Sequence, residues 1–406
     1  MRIKITDLEE LAKKLDVSPT MHKYAVERYE GISNYLREQG IDAAFYPQGS
    51  FRTGTVTRPL KNNIEADFDI DVVCELQISK NNTNPSMVKT SIGIALKENE
   101  TYSKKLLPEQ DRCWTLTYAD VADGIGLKLD VVPCAKEEQR NILILKTKGV
   151  QDEYAKKAVV ITEKFKTNDY EWLPSNPDGY GAWFDDINNR FLLEDISQRK
   201  QMFLNENHNI FAASATIDDV PDYYIKSSLQ RIIQLLKRHR DIYYNRIKDG
   251  EKLRPISAII TTLVAKIAES ATSTEIDSLL SYMVSELHDY SALLQGRTPT
   301  IRFFGEKRDY IEKSDYKWKI CNPVNPDDNY ADAWTDETAK AFFKWIEAVA
   351  ADLSVPKPEN EMQYLTGLKS GLGTSFVESF LLKQNDLPDK NVSIPQVTST
   401  TKPWGV

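Results

Sequence analysis

Two stretches of the chain carry residues whose types and spacing could do chemistry. In residues 67–76, the acidic side chains Asp67, Asp69 and Asp71 alternate with apolar ones, the pattern of a strand with one buried face. Carboxylates about 7 Å apart repel each other and aspartate is a poor strand former, so local stability does not explain the pattern. A divalent cation would explain it, because Mg²⁺ binds carboxylate, water and phosphate oxygens.

The second stretch, residues 46–52, precedes the acidic strand and contains Gly49 and Ser50. Such a turn can bring backbone N–H groups and a hydroxyl close to a phosphate. Taken alone, the two stretches also fit a turn followed by a solvated acidic edge strand. Residues 125–132 alternate in the same way and carry Asp130 on the polar side. Two such strands can bring three carboxylates together, as in two-metal phosphoryl-transfer centres.

The order of these motifs resembles a known superfamily. Gly-Ser, then Asp-x-Asp on a strand, then a single Asp on a later strand is the signature of polymerase-β-like nucleotidyltransferases. Within that superfamily the chain resembles the cGAS/DncV-like nucleotidyltransferases, the bacterial enzymes of cyclic-oligonucleotide antiphage (CBASS) signalling. The resemblance implies a bilobal α+β fold, in which a mixed, mainly antiparallel sheet is flanked by helices and joined to a helical second lobe.

Three aspartates compete for the two positions of the Asp-x-Asp motif. In the resembled family a short apolar run follows the second carboxylate, and Val72 and Val73 follow Asp71. This aligns Asp69 and Asp71 with the motif and leaves Asp67 as a flanking residue.

The resemblance also implies roles for individual residues. Asp69, Asp71 and Asp130 are expected to be catalytic and to hold two Mg²⁺ ions, with Mn²⁺ as a substitute. Two residues of the helical half, Lys237 and Ser257, match a lysine and a serine that bind the incoming triphosphate. The full set of expected nucleotide-binding residues is Gln48, Gly49, Ser50, Arg52, Lys237 and Ser257. The implied reaction joins NTPs, with ATP expected among them, into a cyclic di- or trinucleotide and releases pyrophosphate.

Hydrophobic periodicity and turn residues predict the elements that position these side chains. Bracing helices are predicted over residues 6–39 with a break at Ser18-Pro19, and a strand over 113–118 is predicted to pair with 125–132. Further strands are predicted at 141–146 and 158–163, a loop at 172–184, and helices at 224–247, from 257 onward and at 336–351. The predicted domains are 1–40 (bracing helices), 41–215 (nucleotidyltransferase core), 216–385 (helical lobe) and 386–406 (extended tail).

Composition and charge indicate where the protein is expected to act and which activators are not expected. The 406 residues are 41% hydrophobic with a mean hydropathy of −0.47, and no long apolar run or signal peptide is evident, so a soluble cytoplasmic protein is expected. The four cysteines are scattered and read as reduced thiols. A net charge of −8 argues against a DNA or RNA activator, because nucleic-acid backbones need a basic surface.

Three other interpretations stay open. A nucleotidyltransferase with an external acceptor would have the same metal site. An inactive nucleotide-binding scaffold is disfavoured by the presence of all three carboxylates together with Gly49 and Ser50. A structural protein with an acidic sheet edge would show no Mg²⁺-dependent binding of nucleotides. The resemblance further implies a ubiquitin-ligase-like or other accessory partner acting on the C-terminus, where Gly405 lies near the chain end.

Overall fold

The structure is a computed structural model. It describes residues 8–58, 60–61, 64–65, 68–122, 125–166, 169–192, 196–206, 224–299, 302–303, 306–307, 309–353 and 360–385. Asp67 and the predicted tail 386–406 lie outside the described residues. The division into domains stays a prediction.

The N-terminal half alternates helices and strands. Its elements are α1 (Leu8–Lys13), α2 (Pro19–Glu38), β1 (Ala43–Gln48), α3 (Gly49–Arg52), β2 (Leu60–Lys61), β3 (Ile64–Glu65), β4 (Phe68–Ser79), α4 (Pro85–Glu98), α5 (Glu100–Ser103), β5 (Trp114–Ala122), β6 (Ile125–Lys136), α6 (Gln139–Thr147), α7 (Asp152–Ala155), β7 (Val159–Lys166), β8 (Asp169–Ser175), α8 (Pro177–Leu192) and α9 (Ile196–Glu206).

The C-terminal half is mainly helical. Its elements are α10 (Ser228–Asn245), α11 (Gly250–Leu253), α12 (Ser257–Ala268), α13 (Ile276–Asp289), β9 (Arg302–Phe303), β10 (Glu306–Lys307), β11 (Glu312–Ser314), β12 (Lys317–Lys319), β13 (Cys321–Asn322), β14 (Asn325–Asn329), α14 (Asp336–Asp352), α15 (Glu361–Leu372) and α16 (Thr374–Asn385).

The main sheet has six strands in the order β1-β4-β6-β7-β8, with β5 also paired to β6. Only β4 and β6 are parallel, and the other pairs are antiparallel. The mixed, mainly antiparallel sheet expected from the sequence is therefore confirmed. The predicted break between the bracing helices lies before α2, which begins directly after Ser18. The Ser18 hydroxyl accepts from the Met21 N–H and caps this helix.

One face of strands β4 and β6 is apolar. Phe68, Ile70 and Val72 of β4 are at most 2% exposed, and they pack with Leu127 and Leu129 of β6. Helices α2 and α4 cover this face. The alternation read from the sequence therefore leaves every second residue of β4 and β6 on the opposite face.

Helix α10 is the centre of the helical lobe. It packs against α1, α8, α12, α13, α14 and α15, and buries its apolar stripe of Leu229, Ile232, Ile233 and Leu236. The basic residues of this helix, Arg231, Lys237, Arg238 and Arg240, are buried as well. A helix packed on several sides has little solvent-facing surface to offer a lysine or an arginine.

Two local predictions were wrong. The run Ile142-Leu143-Ile144-Leu145 lies in helix α6 rather than in a strand, and only Ile142 and Leu145, three residues apart, are buried. An apolar run of four residues does not distinguish the two periods. The predicted loop 172–184 is instead the end of β8 followed by α8, which begins at a proline suited to a first helical turn. Within the described residues, no helix has the length and apolarity needed to cross a membrane.

Candidate active site

Four polar residues stand side by side across four strands. Gln48, the last residue of β1, lies opposite Asp71 of β4. Asp71 lies beside Asp130 of β6, and Asp130 lies opposite Thr115 of β5. We call these four residues the acidic row. Because β4 and β6 are parallel and in this register, the two carboxylates start from adjacent backbone positions.

The acidic row marks the limit of a buried cluster. Two residues after each carboxylate, Val73 and Val132 are at most 4% exposed and pack on the same face against β7. Asp69 lies two residues before Asp71 and is exposed. The carboxylates thus sit where the covered part of the sheet face ends, with Asp71 half-buried and Asp69 toward solvent.

This position governs the charge of Asp71. Burial, together with the negative charges of Asp130 and Asp69, raises the pKa of Asp71 to about 7. The Thr115 hydroxyl donates to Asp130 Oδ1 at 2.5 Å, which orients that carboxylate. All three aspartates therefore place negative charge in one region of the sheet face. A cation bound there would offset both the cost of burying Asp71 and the repulsion among the carboxylates.

The donor set suits a hard cation. Among the described residues, no three carboxylate, imidazole or thiol side chains are arranged closely enough to hold an ion by themselves. Mg²⁺ commonly uses one or two carboxylates and completes its shell with water and substrate phosphates. The oxygen chemistry of the acidic row fits that mode of binding.

The glycine-serine turn adjoins the row directly. Gly49 has a φ of +62°, and a Cβ at this position would lie 3.1 Å from Asp71 Oδ2. Only glycine combines this backbone conformation with such a close approach. Residues 49–52 form the single helical turn α3, whose first N–H groups have no acceptor within the turn. The turn is therefore placed to present donors beside the carboxylates.

A nucleotidyltransferase family model matches this region of the chain. Residues 43–130, which include the turn and the three aspartates, match the family model described as cyclic GMP-AMP synthase DncV-like, nucleotidyltransferase domain. A c-di-GMP synthase of Roseivirga ehrenbergii is 29% identical over 352 residues, covering 84% of this chain and 77% of that protein. The chain therefore contains a DncV-like nucleotidyltransferase domain. The cyclic dinucleotide synthase CdnG of Bradyrhizobium diazoefficiens is 30% identical over 248 residues, 58% of this chain and 53% of CdnG.

Solved structures show the same fold. The nucleotidyltransferase is similar to the structure of B. diazoefficiens CdnG in complex with GTP, with a TM-score of 0.64 and 22% identity over 93% of this chain and 98% of that one. A CdnC:HORMA-deltaN complex of E. coli MS115-1 gives a TM-score of 0.56 at 15% identity, covering 92% and 99% of the two chains. The polymerase-β-like fold class and the enzyme class expected from the sequence are confirmed.

Arg52 of the nucleotidyltransferase points toward helix α8. Its guanidinium forms an ion pair with Asp185 at 2.6 Å, which raises the pKa of Arg52 although burial opposes this. Arg52 also lies against Gly181, where a Cβ would come within 2.7 Å of Arg52 Nε. The ion pair fastens the end of α3 to α8, and the expected contact of Arg52 with a nucleotide stays a prediction.

Lys237 is buried, at 4% exposure, and faces the segment that follows α3. Its ammonium donates to the carbonyl and the hydroxyl of Thr55, at 3.1 and 3.0 Å. Burial, together with the positive charge of Arg240, lowers the pKa of Lys237 to about 7. Its expected role in triphosphate binding also stays a prediction.

Ser257 opens helix α12, as expected, but the N-cap position belongs to Ile256. The Ser257 hydroxyl accepts from Arg240 Nη1 at 3.0 Å, and the same guanidinium group donates to the Pro255 carbonyl at 3.1 Å. Arg240 therefore links α10 to the start of α12. The binding of a triphosphate by Ser257 stays a prediction.

Sequence reasoning missed two groups of residues at the site. Thr115 could have been found, because Trp114 and Leu116 are buried on the apolar face and the alternation puts Thr115 beside Asp130. Lys226 and Gln230 near the start of α10 contact the segment after α3. The capping pair of Ser227 and Gln230 was visible as a helix start, but nothing local showed where the glutamine amide points.

Proposed function

We propose that this nucleotidyltransferase joins NTPs into a cyclic dinucleotide and releases pyrophosphate. The observation that carries the proposal is the acidic row, with Asp71 and Asp130 adjacent across parallel strands and Gly49 against Asp71. The names of the relatives, a c-di-GMP synthase and CdnG, favour a dinucleotide product, and the CdnG complex with GTP favours GTP among the substrates. ATP as a further substrate and a trinucleotide product remain expectations of the sequence.

Asp69, Asp71 and Asp130 are the residues that would hold two Mg²⁺ ions, or Mn²⁺ in their place. When bound, the ions neutralise phosphate charge and lower the pKa of the acceptor ribose hydroxyl. The raised pKa of Asp71 supports this assignment, because a strained set of like charges is what a cation would stabilise. Asp71 must be ionised to serve as a ligand, so its affinity for the ion falls as the pH drops below about 7.

The remaining residues bind and orient. Gly49 and Ser50 present N–H and hydroxyl donors to the phosphates of the donor nucleotide, beside Asp71. Asp130, held by Thr115, orients the acceptor hydroxyl and receives its proton. The hydroxyl oxygen forms a bond to the α-phosphorus as the bond from that phosphorus to the bridging oxygen breaks, and pyrophosphate leaves. A second transfer within the linear dinucleotide closes the ring.

The test is product analysis. The purified protein is incubated with all four NTPs and Mg²⁺, and products are identified by chromatography and mass spectrometry. We expect a cyclic dinucleotide without any added acceptor. The variant Asp69→Asn/Asp71→Asn should fold and form no product, whereas Asp169→Asn, in strand β8 of the same sheet, should behave as wild type. Undiminished pyrophosphate release from the double variant would end the assignment of these aspartates.

The proposal also includes the cellular role of the protein and its partner. We infer a cytoplasmic role in bacterial antiphage (CBASS) defence, in keeping with the family. An accessory protein acting on the C-terminal residues 386–406 is the proposed partner, and the E. coli CdnC relative has been solved with a HORMA protein. Mass spectrometry of the protein recovered from cells with its neighbouring proteins would detect a covalent attachment at the C-terminus.

A further inference from the structure

The segment after the glycine-serine turn is bound to helix α10 at four consecutive carbonyl groups. Side chains on or just before α10 donate to each of them: Gln230 to Thr53 at 2.9 Å, Lys226 to Gly54 at 2.5 Å, Lys237 to Thr55 at 3.1 Å, and Gln234 to Val56 at 2.7 Å. We call residues 53–56 the clamped segment. A connecting segment normally offers its carbonyls to water, so three side-chain donors from one helix and a fourth from just before it are unusual.

The clamped segment is bonded in turn to α3. The backbone N–H of Thr53 donates to the Gly49 carbonyl at 3.1 Å, and the N–H of Thr55 donates to the Ser50 carbonyl at 2.9 Å. The hydroxyl of Thr53 also reaches the Gly49 carbonyl and contacts the Thr55 hydroxyl. The Gly49 and Ser50 carbonyls are thus fixed by residues that are bonded to the region of α10. Because a peptide group is planar, this also fixes the direction of the N–H groups of Ser50 and Phe51, which belong to the same two peptide groups.

The donors are themselves held in place. Gln234 donates to Asp16 at 2.8 Å as well as to Val56, and Asp16 also accepts from Arg231. The amide oxygen of Gln230 accepts from the Ser227 N–H in a capping box, which leaves its NH₂ group directed at Thr53. Gly54 has a φ of +65°, and a Cβ there would lie 2.4 Å from Gln230 Nε2, so the backbone and the glutamine fit closely.

We propose that Lys226, Gln230 and Gln234 are positioning residues for nucleotide binding, which set the orientation of the Gly49–Ser50 turn through the clamped segment. The inference rests on the proposed function for the existence of a nucleotide at that turn. A residue that only stabilises the fold would lower the melting temperature and leave nucleotide affinity alone. A positioning residue changes the KM for the nucleotide as well, because the turn samples orientations that do not match the phosphates.

Lys226 offers a matched pair of variants. Lys226→Met removes the donor to Gly54, and Lys266→Met removes a similar donor, whose ammonium contacts the Cys321 carbonyl at 2.9 Å in another part of the helical lobe. Burial lowers the pKa of both lysines, to about 8 for Lys226. The two substitutions are therefore comparable in chemistry and differ in whether the clamped segment is involved.

Gln230→Glu is a second, independent variant. The carboxylate keeps an acceptor for the Ser227 N–H and so preserves the capping box, but it replaces the donor to Thr53 by an acceptor. In both Lys226→Met and Gln230→Glu we expect the KM for GTP to rise about tenfold, the equivalent of one ordinary hydrogen bond. We expect kcat to stay within about twofold of wild type, since the carboxylates are untouched.

The experiment measures KM and kcat for pyrophosphate release, GTP affinity by calorimetry with Mg²⁺, and the melting temperature of wild type and the three variants. The inference is supported if Lys266→Met loses thermal stability yet keeps the wild-type KM and GTP affinity. It is overturned if Lys226→Met and Lys266→Met have the same GTP affinity. If the wild type binds GTP but makes no cyclic product, the proposed function is wrong and the comparison of GTP affinities still tests the inference. If the wild type binds no NTP, both the proposed function and the inference are wrong.

Discussion

The acidic row and the clamped segment are joined by the one-turn helix α3, yet their polar groups are treated in opposite ways. In the row, like charges are gathered at the limit of a buried surface, and the pKa of Asp71 rises to about 7 as a result. In the clamped segment, every carbonyl from Thr53 to Val56 has a side-chain donor. The difference teaches that the region with unfavourable electrostatics is next to one in which each of the four carbonyls has a side-chain donor.

The row should be the more sensitive of the two regions in activity. Asp130→Asn keeps the shape of the side chain and can still accept from Thr115, but it removes a charge needed for metal binding. We expect activity to fall at least about a thousandfold, by analogy with the loss of a main electrostatic contact. Pyrophosphate release by purified protein measures this, with the circular-dichroism spectrum as a check of folding. Activity within tenfold of wild type would place the reaction elsewhere.

The clamped segment should be the more sensitive in stability. Gly54→Ala forces a positive φ on alanine and displaces Gln230, and we expect a loss of about 2 to 3 kcal/mol in the free energy of unfolding. The control is Gly296→Ala, whose φ of +66° is nearly equal but whose Cβ would meet nothing within 4 Å. Denaturant unfolding should show a loss of only about 1 to 2 kcal/mol for that control. Equal losses would mean that the contact with Gln230 contributes nothing.

Removing a carboxylate from the row should stabilise the protein in the absence of Mg²⁺. The folded-state pKa of Asp71 lies above its ordinary value of 3.8, so the folded form binds the proton more tightly. The stability that this tighter proton binding contributes is fully present below about pH 4 and is lost as the pH rises through about 7. Asp71→Asn should therefore gain on the order of 1 to 2 kcal/mol over wild type at pH 8, allowing for partial solvation, and little at pH 4.

Melting curves in EDTA at the two pH values give this comparison. A gain for Asp71→Asn that is larger at pH 4 than at pH 8 would contradict the repulsion assigned to the row.

The smallest effect concerns Thr115, one of the two neutral members of the row. Thr115→Val removes the hydroxyl that donates to Asp130 while keeping a β-branched side chain on the strand. We expect kcat to fall about fivefold, as one hydrogen bond to an orienting group is lost, with KM for GTP unchanged. Thr117→Val is the control, because Thr117 donates to the Lys105 carbonyl at 3.3 Å instead. Steady-state kinetics that do not separate the two variants would show that Thr115 does not orient Asp130.

The alternation of apolar and polar residues predicted the strands of the site well, because a strand turns every second side chain to the same face. The apolar residues of β4 and β6 have to face the core, and this alone puts Asp69, Asp71 and Asp130 on the other face. The same kind of reasoning failed at residues 141–146, where four consecutive apolar residues carry no period and helix α6 formed instead. Nor could the pattern of α10 show that Lys237 is buried, because the number of helices packed around α10 cannot be read from α10 itself.

The sequence by itself determined which residues are acidic, which strand faces they occupy and where the glycine-serine turn precedes them, because these follow from side-chain chemistry and strand geometry over a few residues. Only the tertiary structure decided that Asp71 and Asp130 stand beside each other and that Gln230 reaches Thr53, residues 177 apart in the chain. Strand register and helix packing are settled by the burial of many distant side chains together. No short stretch contains that information.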